Sequence, residues 1–229
     1  MSRIVLIRHG QASLGLRDYD RLSPNGVTQA ELLGAALARR QVHPDVIVSG
    51  GQQRHDQTIE ALMKTSGWEA DIVPDTRWGE FDSMDVIAAH RPQYRNATLM
   101  KADLIMTFQP RKAFHDMYAA AISRWTSGRF DADYAETFPA FTRRVDEAFA
   151  AVRERAEGGT VVVVTSSAPM SWVATSLLRG GIETWNRLNG VTANTGVTWC
   201  SATPHDWRVD TVNEYSHLDG AGEGLITLR

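Results

Sequence analysis

The reading of this chain turns on one stretch: Ile4-Val5-Leu6-Ile7-Arg8-His9-Gly10-Gln11. Four aliphatic residues without alternation predict a strand buried on both faces, as in a parallel sheet covered by helices. Arg8, His9 and Gly10 follow at its end. In an open α/β sheet, ligands bind beyond the carboxyl ends of the strands. Arg8 carries a fork of N–H donors suited to phosphate. His9 can serve as nucleophile or base near neutral pH. Gly10 allows a tight turn and close approach of a ligand.

The same pattern recurs further along. Val161 to Val164 is a second aliphatic run, with Asp45–Val48 and Asp71–Val73 as weaker ones. Between them lie helical stretches. Ser23-Pro24 sets an N-cap and a first-turn proline, and Val27, Ala30, Leu33, Leu37 and Ala38 continue as an apolar face. Gln52 to Lys64 forms the next helix. Strand and helix alternate, so the fold class is α/β: a three-layer sandwich with a mostly parallel central sheet and helices on both faces. Pro139 opens a helix whose stripe is Phe141, Val145, Ala148, Phe149 and Val152, and a further helix is expected over 169–179. Thr195–Cys200 and Trp207–Val212 read as a closing pair of strands around Pro204-His205-Asp206.

The stretch 82–137 breaks the alternation. Phe114, Met117, Tyr118, Ala121, Ile122 and Trp125 mark an amphipathic helix. The chain is read as a single domain, 1–229, with a helical insertion over the active-site edge at about 82–137. The basic half of that insertion carries Arg91, Arg95, Lys101, Arg111 and Lys112, which suits a lid meeting a second anionic group of a substrate. Its exposed faces offer surfaces for a homodimer.

Composition narrows the function classes. With 24 Lys and Arg against 27 Asp and Glu, the net charge is −3, which argues against a nucleic-acid partner held by a global basic surface. The one cysteine, Cys200, excludes an internal disulfide and a Cys-based zinc site. No run approaches the roughly 20 apolar residues of a membrane span, and no targeting segment is evident. The expectation is a cytoplasmic protein without a membrane partner.

Five segments in order resemble the histidine phosphatase superfamily, also called phosphoglycerate-mutase-like. These are Arg8-His9-Gly10 after its strand, the Leu22 to Ala30 helix start, and Ser49-Gly50-Gly51-Gln52-Gln53-Arg54-His55-Asp56-Gln57-Thr58. Trp78-Gly79-Glu80-Phe81-Asp82 and the C-terminal Asn194–Thr198 with Asn213 and His217-Leu218 complete them. The resemblance implies that His9 attacks phosphorus and forms a phosphohistidine. It implies that Arg8 and Arg54 clamp the phosphate and that Glu80 is the acid and base. Two arginines supply the charge phosphoryl transfer needs, with neither metal nor cofactor. The implied activity is that of a phosphoric monoester hydrolase, acting on a phosphorylated small molecule.

One segment departs from the family. Where it carries Ser-His-Gly-Gly after the strand, this chain has Thr165-Ser166-Ser167-Ala168, with Ser166 at the histidine's place. Ser166 and Ser167 remain candidate phosphate ligands at a helix start. The missing imidazole implies reduced or atypical activity, since losing one preorganised donor costs about 10²–10³ in rate. The alternative is a non-catalytic phosphate-ligand-binding or regulatory protein. A phosphomutase is less favoured: in the loop 11–17, Gly15 stands where a mutase has Asn. Among the other histidines, His55 is expected to face away from Arg54 on its helix. His43, His90, His115 and His205 read as loop or insertion residues, and His217 matches a family position. Trp78 and Trp172 are expected as pocket walls.

Overall fold

The computed structural model describes residues 2–13 and 20–228; the loop position Gly15, and the mutase argument with it, lie outside them. The chain divides into two compact units, Phe81–Arg143 and the remainder.

The larger unit is built on a six-stranded sheet in the order β3-β2-β4-β1-β5-β6. Its strands are β1 (Arg3–Arg8), β2 (Val46–Ser49), β3 (Asp71–Pro74), β4 (Thr160–Thr165), β5 (Val197–Ala202) and β6 (Trp207–Glu214). The first four are parallel; β5 runs antiparallel to β1, and β6 antiparallel to β5. The sheet is therefore mostly parallel, with a C-terminal hairpin on one edge. Its helices are α1 (Pro24–Arg39), α2 (Gln53–Ser66), α6 (Phe138–Arg155) from Arg144 onward, α7 (Ser167–Leu177) and α8 (Ile182–Val191).

Residues of both parities in β1 and β4 are buried, as strands covered on both faces require. Val5, Ile7, Ile47, Val162 and Val164 pack on Ala30, Leu33 and Leu37 of α1 and Ile59 and Leu62 of α2. Ile4, Leu6, Val161 and Val163 point the other way and are equally buried. Trp172 of α7 donates to Asp146 of α6 at 2.8 Å, and Trp185 of α8 to the Ala168 carbonyl at 3.1 Å.

Helix starts follow the sequence chemistry in one case and correct it in another. Ser23 caps α1, its hydroxyl accepting from the Gly26 N–H at 3.1 Å, with Pro24 at the first position. The helix expected over 169–179 begins two residues earlier, at Ser167. Pro169 falls in its first turn, where a missing N–H removes no helical bond. No helix among the described residues is long and apolar enough to cross a membrane.

The smaller unit holds α3 (Ser83–His90), α4 (Ala97–Met106) and α5 (Pro110–Thr126). Its core is aromatic. Trp125 lies 4.6 Å from Phe81 and 5.1 Å from Phe138 between ring centroids, and its indole donates to the Glu136 carbonyl. Ile87, Tyr94 and Met117 form a second cluster. Asp82 caps α3 through the Met84 and Asp85 N–H groups.

Candidate active site

Register alone brings the candidate residues together. Arg8 pairs with Thr165, and Ser49 with Val164. His9, Gly50 and Ser166 therefore leave the sheet at adjacent strand ends. The His9 N–H donates to the Thr165 carbonyl at 2.9 Å and the Gly50 N–H to the Val164 carbonyl at 3.0 Å.

The turn after β1 is tightly held. A Cβ on Gly10 would stand 2.3 Å from the Gly26 carbonyl oxygen, so the turn and the start of α1 meet backbone to backbone. The Gly10 N–H donates to the Thr58 hydroxyl at 3.0 Å, and the Gln11 N–H to Gln29 Oε1 at 2.8 Å. The His9 carbonyl accepts from Asn194 Nδ2 at 3.1 Å. Thr195 donates its N–H to the Arg8 and His9 carbonyls, and does so with φ at +56°. A β-branched residue in the left-handed region costs of order 1–3 kcal/mol, which the surrounding bonds must offset.

The C-terminal segment laces onto the same turn. Gln29 Nε2 donates to the Leu225 carbonyl at 2.7 Å and to the Thr227 hydroxyl at 2.8 Å. The Thr227 hydroxyl donates to Asn194 Oδ1. Arg8 Nη1 donates to the carbonyls of Thr192 and Leu228.

His9 is buried, and its Nδ1 lies 2.7 Å from the Gly10 carbonyl. Burial holds the imidazole far below its ordinary pKa, helped by the charges of Arg8 and Arg54 and by His55; the Gly10 carbonyl works against them. The ring is neutral at pH 7. A neutral imidazole donating from Nδ1 carries its lone pair on Nε2.

Arg54 lies in the first turn of α2 and is buried. Its Nη2 donates to Gln52 Oε1 at 2.8 Å and to Ser166 Oγ at 3.5 Å. Its Nη1 meets the Asp20 carboxylate at 2.5 Å, and Asp20 also accepts from the Gln53 N–H at 2.8 Å. Gln52 Oε1 accepts from the Glu80 N–H as well, tying Arg54 to the loop of Glu80. The half-buried Glu80 carboxylate sits at the start of α7, 3.4 Å from the Ala168 N–H and 3.5 Å from the Ser167 hydroxyl.

His55 overturns its expectation. Adjacent positions on a helix diverge by about 100°, which had placed it away from Arg54. It is instead fully buried, its ring centroid 5.6 Å from that of His9 and its Nε2 2.9 Å from Ser166 Oγ. Helical side chains lean toward the N-terminus, so two neighbours in a first turn can both reach the strand ends beyond it. Gln52, Asp20, Thr58 and Asn194 are further members of the network. Asp20 lies in no motif, Gln52 lies in the Ser49–Thr58 segment without an assigned role, and only the fold shows their contacts.

Two expected pocket walls are placed elsewhere. Trp78 is fully buried, so no face of its ring is open, and Trp172 is turned to Asp146. His217 donates or accepts at Thr195 Oγ1, 2.9 Å away, and supports the strained turn. Burial pushes its pKa down to about 4 against the pull of Asp219. A cavity of about 400 Å³ bordered by Ser2, Arg153, Ala202 and Trp207 lies at the amino end of β1, opposite His9. Among the described residues, no group of three His, Cys, Asp or Glu could hold a metal ion.

No curated protein sequence is significantly similar to this chain. Solved structures are. A Bacillus stearothermophilus protein, YhfR, superposes with a TM-score of 0.66 at 18% identity, covering 96% of this chain and 100% of its own. A mutant phosphoserine phosphatase from Entamoeba histolytica, in complex with phosphoserine, gives 0.63 at 15%, covering 95% and 100%. A mycobacterial glucosyl-3-phosphoglycerate phosphatase gives 0.56 at 24%, covering 93% and 99%. At these identities the likeness establishes the fold. The sequence model of the histidine phosphatase superfamily, branch 1, matches residues 4–215, and the chain belongs to that superfamily.

Proposed function

We propose that this protein is a phosphatase that hydrolyses the phosphoric monoester of a small molecule through a phosphohistidine at His9. The observation that carries the reading is the state of His9: neutral, buried, and fixed by the Gly10 carbonyl so that Nε2 holds the lone pair. In the first step Nε2 attacks phosphorus, a P–N bond forms, and the ester P–O bond breaks. Its electron pair leaves with the alcohol oxygen, which Glu80 protonates. In the second step Glu80 takes a proton from water, whose oxygen attacks phosphorus as the P–N bond breaks to release phosphate.

Arg8 and Arg54 are the phosphate-binding cations of this reading, with Ser166 and Ser167 at the start of α7 beside them. Positioning and charge are most of what phosphoryl transfer asks of a protein. The phosphatases among the structural neighbours, one for phosphoserine and one for glucosyl-3-phosphoglycerate, support a small phosphorylated metabolite as the substrate class. The resemblance puts Ser166 at the place of the family's second histidine, which favours a second reading, a phosphate-binding protein without turnover.

A chromogenic aryl phosphate separates the two. Wild type should hydrolyse it and yield an acid-labile phosphate adduct on rapid quenching, and His9→Ala should do neither. Equal hydrolysis by His9→Ala would rule out the phosphohistidine.

A further inference from the structure

We propose that His55 supplies the second imidazole of the site, donating from Nε2 to the phosphoryl group carried by His9, with Ser166 holding that N–H until the phosphoryl arrives. The inference rests on the phosphatase reading above and assigns a residue that the reading leaves idle.

Three observations point to it. The first is placement: two buried imidazoles lie 5.6 Å apart between centroids, and Arg54 and His55 converge on one oxygen, Ser166 Oγ, at 3.5 and 2.9 Å. A guanidinium and an imidazole aimed at one oxygen beside a nucleophile are an arrangement suited to a phosphoryl oxygen. Ser166 Oγ occupies that position as a neutral acceptor. It stands at the very place where the resemblance puts the family's own histidine, so an imidazole on α2 reaches the space that the resemblance gives to one on the β4 turn.

The second observation is that the fold makes room for this ring. A Cβ at Gly50 would lie 2.5 Å from His55 Nδ1, 2.8 Å from its Cε1 and 3.0 Å from the Trp78 carbonyl. Real Cβ atoms do not come so close, so an imidazole at 55 and a glycine at 50 go together.

The third is that both protonation states have partners. In the neutral ring, the Gln52 N–H 3.4 Å from Nδ1 favours the tautomer with its proton on Nε2, facing Ser166. If the ring gains a second proton, a bond to the Gly50 carbonyl favours the charged form. Without ligand, burial and the Arg54 charge push His55 down to about 3, so the neutral donor is the resting form. A phosphoryl dianion offsets Arg54 and strengthens the Nε2–H bond. No proton leaves His55 in this role; it stabilises charge that develops on a non-bridging oxygen.

The test compares wild type, His55→Ala and the double variant His55→Ala/Ser166→His on p-nitrophenyl phosphate, with orthovanadate as the binding probe. His55→Ala should lose about 10²–10³ in kcat. The double variant, which returns an imidazole to the β4 turn, should regain at least tenfold over His55→Ala. Packing alone would give no such recovery. Because a buried residue is being truncated, wild type labelled with ¹⁵N-histidine supplies an independent readout. The His55 Nε2 resonance should shift when orthovanadate binds, and an unmoved resonance overturns the proposal whatever the variants do. Wild-type rates in His55→Ala overturn it too, while leaving the His9 phosphatase reading intact. If wild type neither hydrolyses the ester nor binds orthovanadate, the phosphatase reading itself fails, and the role of His55 with it.

Discussion

Acidification should unfold this protein through its histidines before its carboxylates titrate. His9, His55 and His217 are all held neutral by burial, His55 at about 3 and His217 at about 4, with His9 well below its ordinary value. In the unfolded chain each titrates near 6.5. A folded pKa below the unfolded one means the unfolded state binds more protons as pH falls. The stability is therefore complete above about pH 6.5 and is lost on acidification toward the folded values. Each such histidine removes about 1.4 kcal/mol per pH unit in that window. At pH 4.5, two units below 6.5, His55 and His217 have each cost roughly 2.7 kcal/mol, about 5 kcal/mol together, and His9 acts in the same direction. Domains of this kind have about 5–15 kcal/mol in total, so a large share of the stability should be gone there. Urea denaturation at pH 7, 6, 5.5 and 5 measures the slope, to which His55 and His217 should bring about 2.7 kcal/mol per pH unit at the acid end. His55→Gln, which cannot take up the proton, should reduce that slope by about 1.4 kcal/mol per pH unit. Equal stability at pH 7 and pH 5, or an unchanged slope in His55→Gln, would refute the assignment of buried neutral rings.

Other perturbations probe the turn and the clamp. Gly10→Ala forces a methyl to within 2.3 Å of the Gly26 carbonyl; about 1–3 kcal/mol of destabilisation is expected, seen as a Tm lower by several degrees, with aryl-phosphate turnover falling more than the stability loss explains. Asp20→Asn removes the carboxylate that meets Arg54 at 2.5 Å. Inorganic phosphate should then inhibit about tenfold more strongly at low salt, since a unit charge a few ångströms away is worth about 1–3 kcal/mol at intermediate dielectric; unchanged inhibition would place the anion away from Arg54.

How much of this was legible in the sequence differs by element. β1 and β4 were, because unbroken Ile and Val runs bounded by polar residues have few other readings. The Ser23-Pro24 helix start was, because capping is a local chemistry. The closing hairpin was also recognisable from its strands and turn. α8 escaped the periodicity argument: Gly180, Gly181 and Gly190 punctuate it, and its one buried anchor, Trp185, gives no repeat. In the site, motif residues stand where strand ends converge. His55 was misplaced because a helical wheel treats the first turn like the middle, whereas there a side chain bends back past the N-cap. Asp20, Gln52 and the tail residues 225–228 act through contacts set by tertiary structure alone, which no spacing encodes.

The lacing of the tail has a consequence for the order of events in folding. Arg8 bonds to Thr192 and Leu228, 184 and 220 residues away, His9 to Asn194 at a separation of 185, and Gln29 to Leu225 at 196. By contrast, the packing of α1 against α2 closes between neighbouring elements. Long-range closures are slow because chain entropy is lost before the contacts reward it. A refolding chain can thus bury most of its tryptophans and still lack the geometry of the β1 turn. Recovery of catalysis should trail recovery of fluorescence, and a ligand that grips the turn would draw the last strands into place.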